Sequence, residues 1–303
     1  MTPLPADAAL HRKGLLITAF GGLMLTADIP LIRLSDGDAW SVLAVRSAFT
    51  FVSAMLVWSL IRLVTGQKTP MVPGLPGLAV TALYGVSSIT FMLAVFNTTT
   101  ANLVFMLAFN PMFSALLSWA FLKERPRPQT FLAMAVMIAG VSLIVAEGIA
   151  AGNMWGDLAA FASSFILASA ITISRKAGTD MGFAPLFATF VPALIGLAMA
   201  GGPASITLAE PGWLALNGLV IIPVAFWCLA TGPKYVSGPE VAMFYLLETI
   251  LAPVWIWMIF AEVPSRGALA GGAIMITALV AHSLWQMGES RRAARSNLPR
   301  HPA

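Results

Sequence analysis

Ten apolar runs of about 20 residues follow one another along the chain, and this feature leaves few folds open. They cover residues 14–34, 39–61, 74–96, 102–122, 129–146, 156–174, 184–200, 212–231, 241–261 and 267–287. Each run is long enough to cross the hydrocarbon core of a bilayer as an α-helix. The runs are apolar on every face, whereas the strands of a membrane barrel alternate apolar and polar residues. The pattern therefore predicts an all-α integral membrane protein with ten transmembrane helices.

The few charged residues indicate how the spans are oriented. Charged residues make up 10% of the chain and hydrophobic ones 58%, a balance that excludes an ordinary soluble enzyme. If the N-terminus is cytoplasmic, 14 of the 17 Lys and Arg residues lie on that side, Arg33 and Arg266 lie outside, and Arg46 lies within a span. We therefore predict a multi-pass protein of the cell inner membrane with both termini cytoplasmic. Membrane topology also accounts for the net charge of +4, so no nucleic-acid partner is expected.

The chain contains a weak internal repeat of five spans. The matches are Trp119 with Trp257, Glu124 with Glu262 and Pro126 with Pro264 at one offset, and Gly14 with Gly156 and Arg33 with Arg175 at another. Because five is odd, the second copy enters the membrane from the opposite side, as in many alternating-access transporters. We expect a first repeat at residues 1–149, a second, inverted repeat at 150–288, and a basic cytoplasmic tail at 289–303.

Short motifs occur in both halves, three in the first and three in the second. They are Phe121-Leu122-Lys123-Glu124-Arg125-Pro126, Asn110-Pro111, Ala44-Val45-Arg46, Gly156-Asp157, Lys234-Tyr235-Val236-Ser237, and Leu247-Glu248 with Glu262. Together they resemble the EamA-type domain of the drug/metabolite transporter superfamily over nearly the whole chain. The resemblance implies ten helices in two inverted halves and export of small metabolites, and aromatic amino-acid exporters are the nearest match in function. One departure is Glu248-Thr249, where the family usually has Glu-Pro; here the proline is displaced to Pro253.

These observations favour a secondary transporter that exports small metabolites, amino acids and aromatic ones among them, by alternating access. The expected partners are a small-molecule substrate and the lipid bilayer, and the pattern is neutral on oligomeric state and on proton coupling. The single cysteine, Cys228, and three scattered histidines form no nucleophile or ligand cluster, so no catalytic residue, metal or cofactor is expected. The alternatives are a passive channel or facilitator and an intramembrane enzyme.

Ionisable residues within the spans are candidate functional residues, because a charge in hydrocarbon is costly. Asp28 and Arg46 lie at similar depth in the first and second spans, so they can pair, either to tie two helices together or to bind substrate. His282 is interpreted as a satisfied interior group. Glu248 lies near the midplane and coincides with Asn110 in the repeat, which suits a central site for an amino or hydroxyl group. Such a carboxylate could also exchange protons, although a plain interhelical hydrogen bond is the alternative.

Further polar and aromatic residues recur at helical spacing and could line a cavity. With Asp28, Asn110 and Glu248, the predicted cavity residues are Tyr84, Ser88, Phe91, Asn102, Phe105, Ser164, Trp227 and Tyr245. An aromatic wall with a few polar groups would accept an amphipathic solute, although aromatic side chains on membrane helices also commonly face lipid or neighbouring helices. Arg46, Pro111 and Pro253 are assigned structural or gating roles. Glycines such as Gly140 and Gly196 are expected to permit close helix contact.

Overall fold

The chain folds almost entirely into helices in the part that the structure describes. The computed structural model describes residues 5–66, 70–123, 125–126, 128–150, 152–178, 181, 183–231, 235 and 238–296. The helices are α1 Pro5–Leu25, α2 Asp28–Leu34, α3 Ala39–Thr65, α4 Gly74–Asn97, α5 Thr100–Leu107, α6 Asn110–Leu122, α7 Pro128–Ala150, α8 Met154–Ala177, α9 Ala184–Phe187, α10 Phe190–Met199, α11 Pro211–Leu216, α12 Ile222–Thr231, α13 Gly238–Phe260 and α14 Arg266–Ser296.

These helices form the ten predicted spans. Eight stretches of the described chain are long and apolar enough to cross a membrane, and two shorter apolar helices, Ala184–Met199 and Leu247–Phe260, supply the seventh span and part of the ninth. The first span joins α1 and α2, the fourth α5 and α6, the seventh α9 and α10, and the eighth α11 and α12. The all-α membrane fold predicted from the sequence is confirmed. The tenth span, α14, continues to Ser296, so residues 289–296 extend this helix, and residues 297–303 lie outside the described part.

Within the described residues, the α-helix is interrupted in four spans. Each break lies about four residues before a proline. A proline has no N–H for the carbonyl four residues earlier, and its ring collides with that carbonyl. The breaks lie at residues 26–27, 108–109 and 188–189 and at the π-helical turn Asn217–Ile221, ahead of Pro30, Pro111, Pro192 and Pro223. Pro253, in contrast, lies inside the continuous helix α13.

Serine hydroxyls from neighbouring helices donate hydrogen bonds to two of the carbonyls that lack a backbone donor because of these prolines. Pro111 cannot donate to the carbonyl of Leu107, and Ser164 Oγ of the sixth span donates to it at 3.3 Å. Pro223 cannot donate to the carbonyl of Leu219, and Ser53 Oγ of the second span donates to it at 3.1 Å. Buried carbonyls in a membrane protein need such partners, so each break is tied to an adjacent helix.

The helix pairing follows the symmetry of an inverted repeat. The main contacts join spans three and six, one and eight, two and seven, five and ten, two and eight, three and seven, four and six, one and nine, and four and nine. If each span of the first five is replaced by its counterpart among the last five, and the reverse, every pair becomes another of these pairs or stays the same. Spans three and six, for example, become spans eight and one. Glycines permit the closest approaches: a Cβ on Gly140 would lie 2.8 Å from the carbonyl oxygen of Gly271, and one on Gly196 would lie 2.6 Å from the backbone nitrogen of Ala44.

Loops at the predicted outer end of the bundle also connect the two halves. This end holds residues 35–38, 98–99, 152–153, 200–210 and 261–265. Asp38 caps α3 by accepting from the backbone N–H groups of Trp40 and Ser41 at 2.9 and 3.1 Å, and it accepts from Thr207 Oγ1 at 2.5 Å. Burial opposes ionisation of Asp38, but these hydrogen bonds outweigh it and lower its pKa to about 2.

Candidate substrate site

Asp28 and Arg46 form a buried ion pair between the first and second spans, as their depth predicts. Arg46 Nη2 lies 2.9 Å from both carboxylate oxygens of Asp28, and the two side chains are 9% and 6% exposed, respectively. Asn217 joins the pair from the eighth span. Its Oδ1 accepts from Arg46 Nε at 3.1 Å, and its Nδ2 donates to Asp28 Oδ1 at 2.7 Å. The cluster therefore ties three spans together through charge-assisted hydrogen bonds.

The local backbone explains how Asn217 reaches this position. It begins the π-helical turn of the eighth span, a distortion that often occurs at functional sites. The next residue, Gly218, lies against the second span: a Cβ there would lie 2.8 Å from the carbonyl oxygen of Arg46 and 2.7 Å from Phe49 Cβ. Only glycine allows this contact, which brings the Asn217 amide within reach of Arg46 and Asp28.

Glu248 provides a second carboxylate beside this cluster. It lies deep in the bundle on the ninth span, close enough to Asp28 and Arg46 to interact with both electrostatically. Part of its surface nevertheless remains accessible. Within the described part of the chain, no hydrogen bond or ion pair engages its carboxylate. An accessible carboxylate in the interior of a membrane bundle is an arrangement typical of a binding site.

Asp28, Arg46, Asn217 and Glu248 form a polar centre, and the neighbouring third span carries aromatic and hydroxyl groups on one face. Tyr84, Ser88 and Phe91 are spaced four and three residues apart, so they share a helix face, and all three are partly exposed. The Phe91 ring centroid lies 5.8 Å from the guanidinium carbon of Arg46, within the range of a cation–π contact. Phe91 therefore connects this face of the third span to the ion pair.

The fourth and sixth spans meet beside the break at residues 108–109. Asn110 Nδ2 donates to the carbonyl of Ser164 at 3.0 Å, and the Asn110 side chain is partly exposed. The outer half of the fourth span packs against the sixth, ninth and tenth spans, whereas its inner half packs chiefly against the sixth. Within the described residues, the contacts between the fourth and ninth spans are therefore concentrated in the outer half of the fourth span.

Comparison with known proteins identifies the family. The model of the EamA-like transporter family matches residues 12–146 and, again, residues 154–284. The chain belongs to the EamA-like transporter family. It is a multi-pass membrane transporter of small molecules and not an enzyme.

Two individual proteins resemble this EamA-like transporter. A probable terminal-alkyne amino-acid exporter from Streptantibioticus cattleyicolor is 26% identical over 239 residues, which cover 76% of this chain and 80% of that protein. A crystal structure described only as that of a protein is 17% identical, with a TM-score of 0.63, and the alignment covers 91% of this chain and 98% of the other. The second likeness shows the fold alone.

Two residues predicted to line the cavity of the transporter are engaged elsewhere. Asn102 Nδ2 donates to Asp157 at 3.2 Å near the predicted outer end, and the Asn102 side chain is buried. Phe105 is buried against Gly272 of the tenth span, where a Cβ would collide with its ring. Both lie in the outer half of the fourth span, the part enclosed by neighbouring helices.

Trp227 also departs from the expectation. It is 62% exposed and shares a helix face with the exposed residues Trp213, Leu216 and Val220 of the eighth span. A stripe of large exposed apolar side chains on a membrane helix faces lipid, so Trp227 points away from the polar centre. Tyr245 was predicted to line the cavity, but its side chain lies outside the described part of the structure.

The predicted structural residues occupy different settings. Pro111 is exposed and directly follows Asn110, the first residue of α6. Pro253 lies two residues before Trp255, whose Nε1 donates to Thr26 Oγ1 at 3.1 Å and so links the ninth span to the break in the first. Asn217 was not among the residues predicted from the sequence. It is the one amide in the otherwise apolar run 212–231, and this was the signal that could have indicated it.

Proposed function

We propose that the transporter exports amino acids, aromatic ones among them, across the cell inner membrane by alternating access. The single observation that carries the proposal is the accessible Glu248 carboxylate beside the Asp28–Arg46 pair. With Asp28 and Glu248 ionised and Arg46 charged, the cluster carries a net charge of −1. A low-dielectric interior disfavours an uncompensated charge, so this centre calls for one further cation.

Two cations can supply that charge, and they compete. The ammonium group of an amino acid can bind the Glu248 carboxylate, or a proton can neutralise it. If one replaces the other during the transport cycle, export of the amino acid is coupled to entry of a proton. Protonation of an interior carboxylate is a common means of such coupling in membrane transporters.

The other end of an amino acid also finds complementary groups. Arg46 uses Nη2 and Nε to hold Asp28 and Asn217, and within the described residues its Nη1 has no hydrogen-bond partner. That nitrogen can donate to the carboxylate of the substrate, for which arginine is well suited. The partly exposed rings of Phe91 and Tyr84 offer an apolar wall for the substrate side chain.

The direction of transport rests on the charge distribution and on the similar protein. The excess of Lys and Arg on one side supports cytoplasmic termini, and the contacts between the fourth and ninth spans in the described residues lie toward the opposite, outer end. The similar protein from Streptantibioticus cattleyicolor is named as a probable exporter of an amino acid, which favours the same direction and substrate class.

Counterflow in liposomes tests this proposal. Purified protein is reconstituted with unlabelled phenylalanine, leucine or lysine inside, and uptake of the same labelled amino acid is followed. We expect transient accumulation with at least one amino acid, because a carrier exchanges bound substrate whereas a channel equilibrates without overshoot. Glu248→Gln should abolish counterflow, while Glu210→Gln, which removes an exposed carboxylate at the bundle end, should retain it. Equal counterflow in both variants would refute the role of Glu248, and simple equilibration would favour a channel.

A further inference from the structure

Arg33 and Glu262 join the ends of the first and ninth spans to the turn between the third and fourth spans. The two side chains form an ion pair with each other. Arg33 Nη2 also donates to the carbonyl oxygens of Val95 and Thr98, at 3.4 and 3.3 Å. The backbone N–H of Thr100 donates to Glu262 Oε1 at 3.1 Å. One charged pair thus holds the turn from both sides.

A second set of contacts holds the same turn to the sixth span. Thr98 Oγ1 donates to Asp157 Oδ1 at 2.5 Å, and Asn102 Nδ2 donates to the same oxygen at 3.2 Å. The two sets differ in their access to water. Asp157 is only 3% exposed, whereas the Arg33 and Glu262 side chains are 21% and 25% exposed. Breaking the Asp157 contacts would strand a buried carboxylate, but Arg33 and Glu262 can exchange their contacts for water.

We propose that Arg33 and Glu262 form the outer gate of the transporter. Their contacts with residues 95–100 break when the protein opens toward that end, while Asp157 keeps the turn attached to the sixth span. The proposal rests on the alternating-access function proposed above. The seam of opening then runs between the first and ninth spans on one side and the third, fourth and sixth spans on the other, in line with the polar centre.

The internal repeat supports an alternating role for this site. Arg33 aligns with Arg175, and Glu262 aligns with Glu124, which lies outside the described residues. Arg175 occupies the predicted inner end of the sixth span, where its Nη1 donates to Ser118 Oγ of the fourth span at 2.9 Å. An arginine therefore ends the first span of each repeat, at opposite ends of the bundle, as required if the two ends open in turn.

Thr100 offers an unusually selective way to weaken the gate. It is the first residue of α5, directly after the N-cap Thr99, so its N–H is not needed for the helix. Thr99 has an extended backbone, with φ −72° and ψ 152°, which suits a residue before proline. Thr100→Pro therefore removes the hydrogen bond to Glu262 at a helix position that favours proline. Arg33→Gln and Glu262→Gln weaken the same gate through the side chains.

Cysteine labelling with a membrane-impermeant maleimide tests the gate without any substrate. Cys228→Ser first removes the one native cysteine, and Ser88→Cys then places a single cysteine on the third-span face beside the polar centre. In a separate protein, Ala204→Cys places the cysteine in an outer loop, so the side from which it is labelled is the marked side. We expect the three gate variants to increase labelling of residue 88 from the marked side by about tenfold, because each loses at least one charge-assisted hydrogen bond. Arg266→Gln removes an exposed charge at the same end and should leave labelling unchanged.

Two negative outcomes have different meanings. If residue 88 is labelled only from the opposite side, equally in the parent protein and in all gate variants, the outer gate is refuted while an accessible site remains. If residue 88 is labelled from neither side in any variant, the proposed alternating access itself fails, and the gate fails with it. A monodisperse elution profile for Thr100→Pro, which leaves both charged side chains in place, shows that the comparison concerns folded protein.

Discussion

Asn217 binds Asp28 twice, through the carboxylate at 2.7 Å and through the backbone carbonyl at 3.2 Å, although the two residues lie 189 positions apart. The amide thereby joins the second repeat to the ion pair of the first. Its Nδ2 donates to lone pairs of Asp28 that Arg46 does not use, and the amide itself is uncharged. A buried ion pair is tolerable only when its remaining polar atoms are satisfied in this way.

The ion pair can be tested by removing its partners one at a time. We expect Asp28→Asn to destabilise the protein by about 3–5 kcal/mol, because the Arg46 charge then remains buried without its partner. The double variant with Arg46→Gln should recover much of that loss, since no buried guanidinium is left without its partner and a proton can neutralise Glu248. Thermal unfolding in detergent measures both. Equal destabilisation of the single and double variants would contradict the pairing.

Phe91 and Trp227 provide a matched pair of aromatic residues with opposite settings. We expect Phe91→Ala to raise the KM for an aromatic amino acid by about three- to tenfold, because a cation–π or stacking contact is worth about 0.5–1.5 kcal/mol. Trp227→Ala should leave KM unchanged, since the side chain faces lipid. Initial rates in liposomes give both values. A larger effect at Trp227 than at Phe91 would place the substrate elsewhere.

Because the fifth and tenth spans are in close contact at Gly140, adding one methyl group there should lower the stability of the protein. A Cβ at Gly140 would lie 2.7 Å from Met275 Cγ and 2.8 Å from the Gly271 oxygen, so Gly140→Ala should cost about 1–3 kcal/mol of stability. Gly212→Ala meets no atom within 4 Å and should cost nothing. Thermal unfolding midpoints compare the two, and similar midpoints would mean that the two spans pack less closely.

Asp38 gives the fold a defined pH dependence. Because its pKa falls from 3.8 to about 2 in the folded protein, the ionised carboxylate stabilises the fold above about pH 4, and this contribution disappears as the pH falls through 2. We expect Asp38→Ala to lower the unfolding midpoint at pH 7 and to have little effect near pH 2. Glu210→Gln serves as the control for losing an exposed carboxylate at the same end. An equal effect of Asp38→Ala at both pH values would contradict the pKa.

Much of the fold could be predicted because the membrane leaves strong marks on a sequence. Long apolar runs predicted the spans. Prolines such as Pro111 and Pro223 account for the breaks within them, since a missing N–H acts locally. The Asp28–Arg46 pair was predictable because charges within spans are scarce and these two lie at one depth. Each of these inferences depends on local sequence or on position along a helix.

Features that depend on the rotation of a helix were harder to predict. The eighth span is apolar around its whole circumference, so hydropathy gave no sign that Trp227 faces lipid or that Asn217 faces the ion pair. Asn102 was predicted to line the cavity, but it binds Asp157 of the other repeat. From the sequence, Arg33 and Glu262 were expected only to lie at the ends of spans. Their ion pair was not predicted, because the two residues lie far apart in the chain.

Competition between a proton and the substrate ammonium group for Glu248 can be measured as proton release when the substrate binds. Purified protein in weakly buffered detergent solution is mixed with the amino acid that gave counterflow, and the pH is followed with an indicator dye. We predict that the wild-type protein releases protons on binding and that Glu248→Gln does not. Binding by the wild-type protein without proton release, or equal release by Glu248→Gln, would contradict this prediction.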